Sequence, residues 1–310
     1  MMLQVALTES GPSGCFNRFG GGRARVAQAF GRLPPAALLL VSLVAVQLGS
    51  ALATLLFSSL GPAGTAWAST MFSAVVLTVL ARPWIDRRLR EHAVLLLLFG
   101  LADACMVLPF FLALQRIPLG VASAITFLGP LGLAVATARR PLHFLWIGIA
   151  ALGIGLLTPA VGGELDALGL GLAALAAAGW AGFVPLSKRA GRAFDGVDGL
   201  TLGLWASTAM LLPFALAEGS VLHAGAFDLG ACLVVALLSA VLPMALEYRA
   251  LQRMSARAYG ILVTLEPAIG ALVGAVCLGQ GIGPRMSIAI ACVTIAALGV
   301  TLSERHDHRN

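Results

Sequence analysis

The sequence predicts an all-α polytopic membrane protein, with ten transmembrane helices arranged as two inverted five-helix repeats. Three observations lead there. Of the 310 residues, 59% are hydrophobic and only 11% charged, where a soluble domain has roughly 45–50% and about 25%. Apolar runs of about 20 residues, the length of a membrane span, recur along nearly the whole chain. A short motif then returns in the second half at an offset of 137 residues. The composition excludes a soluble enzyme, a nucleic-acid module and a disordered chain.

Taken in order, residues 1–33 contain Gly and Arg without helical periodicity and are expected as a cytoplasmic N-terminal tail. The first apolar run, Pro34 to Phe57, is too long for a signal-peptide core and lacks a clear cleavage site, so it is expected as a retained helix. Further spans are expected at 62–81, 93–114, 118–137, 142–158, 166–186, 197–217, 228–250, 256–279 and 284–302. Most contain Gly or Pro, which membrane helices tolerate because packed neighbours re-satisfy the backbone. Residues 304–310 form a short C-terminal tail.

Charge orients the spans. The tail, the alternate loops and the C-terminus carry 18 of the 20 Lys and Arg residues, including Arg82, Arg139, Lys188 and Arg253. The opposite side receives Arg116 and Arg285 alone, with Glu164, Asp166, Glu218 and Asp228. The basic side belongs in the cytoplasm. Both termini then lie inside, as an even number of spans requires, in a bacterial-type inner membrane.

The repeat rests on Ala113-Leu114-Gln115-Arg116, which returns as Ala250-Leu251-Gln252-Arg253, and on Leu128-Gly129-Pro130, which returns as Leu265-Glu266-Pro267. Val107-Leu108-Pro109 resembles Val241-Leu242-Pro243, about one turn out of register. The units are 34–158 and 166–303. Five spans per unit is odd, so the second unit is inverted, and the exception at Arg116 follows because its counterpart Arg253 lies on the basic side. Inverted repeats are a common transporter architecture with the substrate site between the halves.

Several stretches carry a family resemblance. They are Gly129-Pro130, Ala138-Arg139-Arg140-Pro141, Trp180 with Lys188-Arg189-Ala190-Gly191, Leu242-Pro243-x-x-Leu246-Glu247-x-x-Ala250-Leu251, and Leu265-Glu266-Pro267-Ala268. On these the chain resembles the EamA-type branch of the drug/metabolite transporter superfamily, and within it the bacterial threonine/homoserine exporters. The resemblance implies a secondary exporter of small polar metabolites. It also marks departures: relatives often carry Arg where this chain has Ser69, and Glu where it has Thr126, while Asp103 is this chain's own.

Carboxyl groups in hydrocarbon cost roughly 2.5–3.5 kcal/mol at a helix centre, so those within spans are candidates. Asp103 lies about ten residues into its span and Glu266 about 12 Å in from the cytoplasmic end at 1.5 Å per residue. Either could titrate protons or bind a substrate amine; either could instead be a hydrogen-bonded structural group. Glu247, nearer the cytoplasm, reads more as a structural partner close to Arg249 or Arg253. Gln47 and Thr126 are candidate contacts for polar substrate atoms or interhelical links. Trp180, Tyr248 and Tyr259 are cavity or interfacial aromatics. No Lys or Arg occurs in the middle of any span.

The five cysteines show no paired spacing, so free thiols and no metal or cofactor are expected. There is no P-loop, HExxH or GxSxG. The expected partners are a small-molecule substrate, the bilayer and protons, with a homodimer left open and no nucleic acid. Competing readings are multidrug efflux, an integral membrane enzyme acting on lipid, and a structural membrane partner.

Overall fold

The computed structural model describes residues 33–83, 88–130, 132, 145–146, 148–149, 152–153, 166–194, 197–254, 259 and 262–303. The expected fifth span at 142–158, the end of the fourth and both charged tails lie largely or wholly outside them. Among the described residues every regular element is helical. The main helices are α1 (Pro35–Leu55), α2 (Phe57–Ala81), α3 (Ala93–Leu114), α4 (Leu119–Thr126), α5 (Ala167–Ala193) and α6 (Asp198–Glu218). They continue as α7 (Ala226–Ala236), a π turn (Leu237–Val241), α8 (Leu242–Arg253), α9 (Glu266–Leu278) and α10 (Pro284–Ser303). Six stretches are long and apolar enough to cross a membrane: α1, α2, α3, α5, α6 and the rod Ala226–Glu247. Leu119–Pro130, Glu266–Leu278 and Pro284–Ala296 are shorter apolar helices.

Proline sets several boundaries. Pro35 and Pro267 sit in first turns, where a missing amide costs nothing. Inside the rod, Pro243 has no N–H for the Ser239 carbonyl. The ladder there widens, and the Leu242 amide donates five residues back to Leu237. Pro130 and Pro267 likewise have no amide for Thr126 and Val263. Turns at Phe127 and at Thr264–Leu265 interrupt the helices just before these prolines. The ninth span, expected as one run over 256–279, therefore begins its regular helix only at Glu266.

Many small residues are buried beside large ones such as Phe99, Phe183 and Leu60, and further large apolar residues face out. Ala53, Ala66, Ala113, Ala176 and Ala215 are fully buried, whereas Phe227 is 84% and Val276 76% exposed. That is the pattern of a bundle in lipid, where close backbone approach drives association. The α3 helix packs along α5, and α1 along the α7–α8 rod; α2 meets α6, and α4 meets α9. Glycines sit at several close crossings, two of which illustrate them. A Cβ on Gly179 would lie 2.6 Å from the backbone at Cys105 and Met106 in α3, and one on Gly49 would strike Ser239 Oγ in the π turn.

Candidate functional site

The helices surround a partly open cavity of about 220 Å³. Its wall is drawn from α1, α2, α3, α4, α5, α6, the rod and the start of α9. Asp103, Glu247, Glu266, Gln47, Thr126 and Trp180 all line it. Tyr259 does not; it is buried beyond the wall, 1% exposed.

Each acidic group is held differently. Asp103 sits on α3 and is 3% exposed. Gly100, a turn earlier, brings α3 against the backbone of Ser207 on α6. The Asp103 carboxyl faces the Ser207 hydroxyl, yet neither Asp103 Oδ2 nor Ser207 Oγ makes a hydrogen bond of ordinary length among the described residues. Glu247 is 7% exposed and well supplied: Ser42 Oγ on α1 donates to it at 3.0 Å and Tyr259 Oη at 2.9 Å. This carboxylate ties α1 to α8 and to the chain leading into α9. Glu266 opens α9, where the positive end of the helix favours a negative charge. Its backbone carbonyl accepts from Gln47 Nε2 at 3.5 Å, and Gln47 Oε1 accepts from Ser123 Oγ at 3.2 Å. Gln47 thus links α1 to both interrupted helices.

Several donors of the wall are taken. Ser50, Ser69 and Ser73 donate to carbonyls of their own helices. Thr126 Oγ1 and Trp180 Nε1 are buried donors with no partner among the described residues. Trp180 stacks edge-on against Phe127, with ring centroids 6.1 Å apart. Phe110, Phe111 and Phe183 supply apolar wall. Ser50, Ser69, Thr70, Ser73, Ser123 and Ser239 also line the cavity. Among them, only Ser69 stands out in the sequence, and only as a departure from its relatives. The one sequence signal the others carry is spacing, as in Ser69 and Ser73, which stack on one face of α2.

Polar ties close both ends. At one, Arg116 pairs with Asp166, which also caps α5 through the Leu168 amide at 2.9 Å. Nearby in the fold, α2 bends at Gly61 (φ +67°), and Glu218 accepts from the Ala63 and Gly64 amides, both at 3.0 Å. Arg253 Nη1 donates to the Leu33 carbonyl at 3.3 Å. Arg116 joins the end of α3 to the start of α5, and Arg253 joins the end of α8 to the start of α1.

A bundle of apolar helices around a central acid-bearing cavity fits a membrane transporter. The EamA-like transporter family model matches residues 167–302. Threonine/homoserine exporter RhtA of Escherichia coli (strain K12) is 34% identical over 280 residues, covering 89% of this chain and 94% of the relative. RhtA of Salmonella typhimurium (strain LT2) is 34% identical over 278 residues, covering 88% and 93%. The chain belongs to the EamA-like transporter family. A solved structure, described as a crystal structure of a protein, shares the fold with a TM-score of 0.51, at 21% identity over 87% of this chain and 98% of that one.

Proposed function

We propose that the protein is a secondary exporter of small polar amino acids of the threonine and homoserine kind. It works by alternating access between the units 34–158 and 166–303, with protons as the coupling ion and both termini in the cytoplasm. The observation that carries this reading is the cavity: small, bordered by spans from both units, and lined by three carboxyl groups. Its volume of about 220 Å³ falls below the roughly 300–1,000 Å³ typical of sites for drug-sized ligands. That favours a compact metabolite over multidrug efflux. The exporters that align with 89% of the chain supply the substrate class.

The inverted arrangement has support from packing. Exchanging the two units turns the α3–α5 contact into the rod–α1 contact, and leaves α2–α6 and α4–α9 each paired with itself. The Arg116 and Arg253 ties exchange in the same way. The interruptions at Phe127 and Thr264 lie 137 residues apart, the offset of the sequence repeat. Discontinuous helices at corresponding places in inverted units are where transporter sites are built.

The test is uptake of labelled threonine and homoserine into inverted membrane vesicles, which turns export into accumulation. Accumulation is expected with an imposed proton gradient, without ATP, and is expected to vanish with an uncoupler. Uphill transport that persists after all ion gradients collapse would end the reading.

A further inference from the structure

The cavity wall is one-sided in its chemistry. Among the described lining residues there are three carboxyl groups, Asp103, Glu247 and Glu266, and no Lys, Arg or His. Prolines add to the acceptor side. Thr126, Ser239 and Val263, all lining residues, each stand four residues before a proline, which has no amide to offer their carbonyls. On the donor side, Gln47, Ser50, Ser69, Ser73 and Ser123 are already engaged. The Thr126 hydroxyl and the Trp180 N–H stand without partners among the described residues, Thr70 and Ser239 add two further lining hydroxyls, and all four are neutral.

A ligand carboxylate buried here would meet neutral donors only, against three acidic side chains. Charge-assisted donors, which bind carboxylates about twice as strongly as neutral ones, are missing from the described wall. An ammonium is the opposite case: three donors, no acceptor, and a positive charge. Asp103 Oδ2, buried and unpartnered among the described residues, is the acceptor left for it.

We infer that this cavity selects its ligand through the ammonium group held at Asp103, and that the ligand carboxylate is dispensable. This rests on the export reading for its substrate class and extends it to small hydroxylated amines that carry no carboxylate. A neutral hydroxyl in place of the carboxylate matches the Thr126 and Trp180 donors as well, and escapes repulsion from Glu247 and Glu266.

The experiment measures ligand-induced thermal stabilisation of the purified protein in detergent, with labelled-threonine uptake in inverted vesicles run beside it. The probes are threonine, the amino alcohol made by reducing its carboxylate, and the dihydroxy acid lacking its amine. The amino alcohol is expected to bind at least as tightly as threonine, and the dihydroxy acid at least about tenfold more weakly than either. Asp103→Asn is expected to weaken both amines by about tenfold or more, and Thr126→Val, which removes only a neutral donor, to weaken the amino alcohol by about two- to tenfold. Binding of the dihydroxy acid with failure of the amino alcohol overturns the inference, as does the absence of stabilisation by every probe. If both amines bind but threonine is not accumulated, the export reading falls and ammonium recognition stands. The ligand series is measured on the unaltered protein, so it decides the matter even where a variant misfolds.

Discussion

Gly61 and Glu218 form the most exacting local arrangement in the bundle. Gly61 has φ +67°, which an L side chain reaches only with strain, and a Cβ there would run into the Glu218 carboxylate. That carboxylate satisfies two amides that Pro62 leaves at a helix start. Gly61→Ala is expected to destabilise by about 1–2 kcal/mol from backbone strain alone, with more from the displaced carboxylate. Glu218→Ala is expected to cost about 0.5–2 kcal/mol, as for other lost caps. Thermal unfolding in detergent checks both. Since each removes the same contact, the double variant should fall short of the sum. Full additivity would mean that the two residues act apart.

At the level of helices, the crossings at Gly49 and Gly179 decide how closely α1 meets the rod and α5 meets α3. The backbone of α3 cannot yield as a flexible side chain can, and a Cβ at Gly179 would lie 2.6 Å from it. Gly179→Val is therefore expected to force α5 and α3 apart, at about 1–3 kcal/mol for an overpacked contact. Gly49 faces Ser239 Oγ, a movable group. Gly49→Ala should be milder, and Ser239→Ala should relieve it. Melting temperatures of the three single variants and the Gly49–Ser239 pair test this ordering. A Gly49→Ala loss unchanged by Ser239→Ala would place the strain elsewhere.

The whole molecule is a bundle whose charged loops predict its sidedness. A cysteine introduced at 159–165 or 218–227, in a background without the native thiols, should react with an impermeant reagent outside intact cells. One at 188–194 should not. The reverse pattern would overturn the orientation. The spans are legible in the sequence because lipid demands long apolar runs, and the family because Leu246-Glu247 and Glu266-Pro267 are distinctive. The cavity is legible only in its charged members. A carboxyl group such as Asp103 stands out in an apolar run, but Ser50, Ser73 and Ser239 look like hydroxyls that simply bond their own helix. Only the neighbouring helix decides which of them meets a cavity. Tyr259, a candidate wall residue on sequence, proves to be an anchor for Glu247. Chain proximity points Glu247 toward Arg249 or Arg253; the hydroxyls of Ser42 and Tyr259, which that proximity does not suggest, reach it from other parts of the chain.

A wall so rich in acceptors has a bearing on idleness. When such a carrier is empty, closing it would seal carboxylates into a low-dielectric space with no counter-charge, and an isolated buried charge is strongly disfavoured. The unloaded form therefore meets its highest barrier at the very step that would let it cycle to no purpose. A cation, whether an amine or a proton, removes that barrier by neutralising the wall. On the export reading proposed above, Asp103 and Glu266 act as a brake on the wholly empty cycle, the one that carries neither amine nor proton.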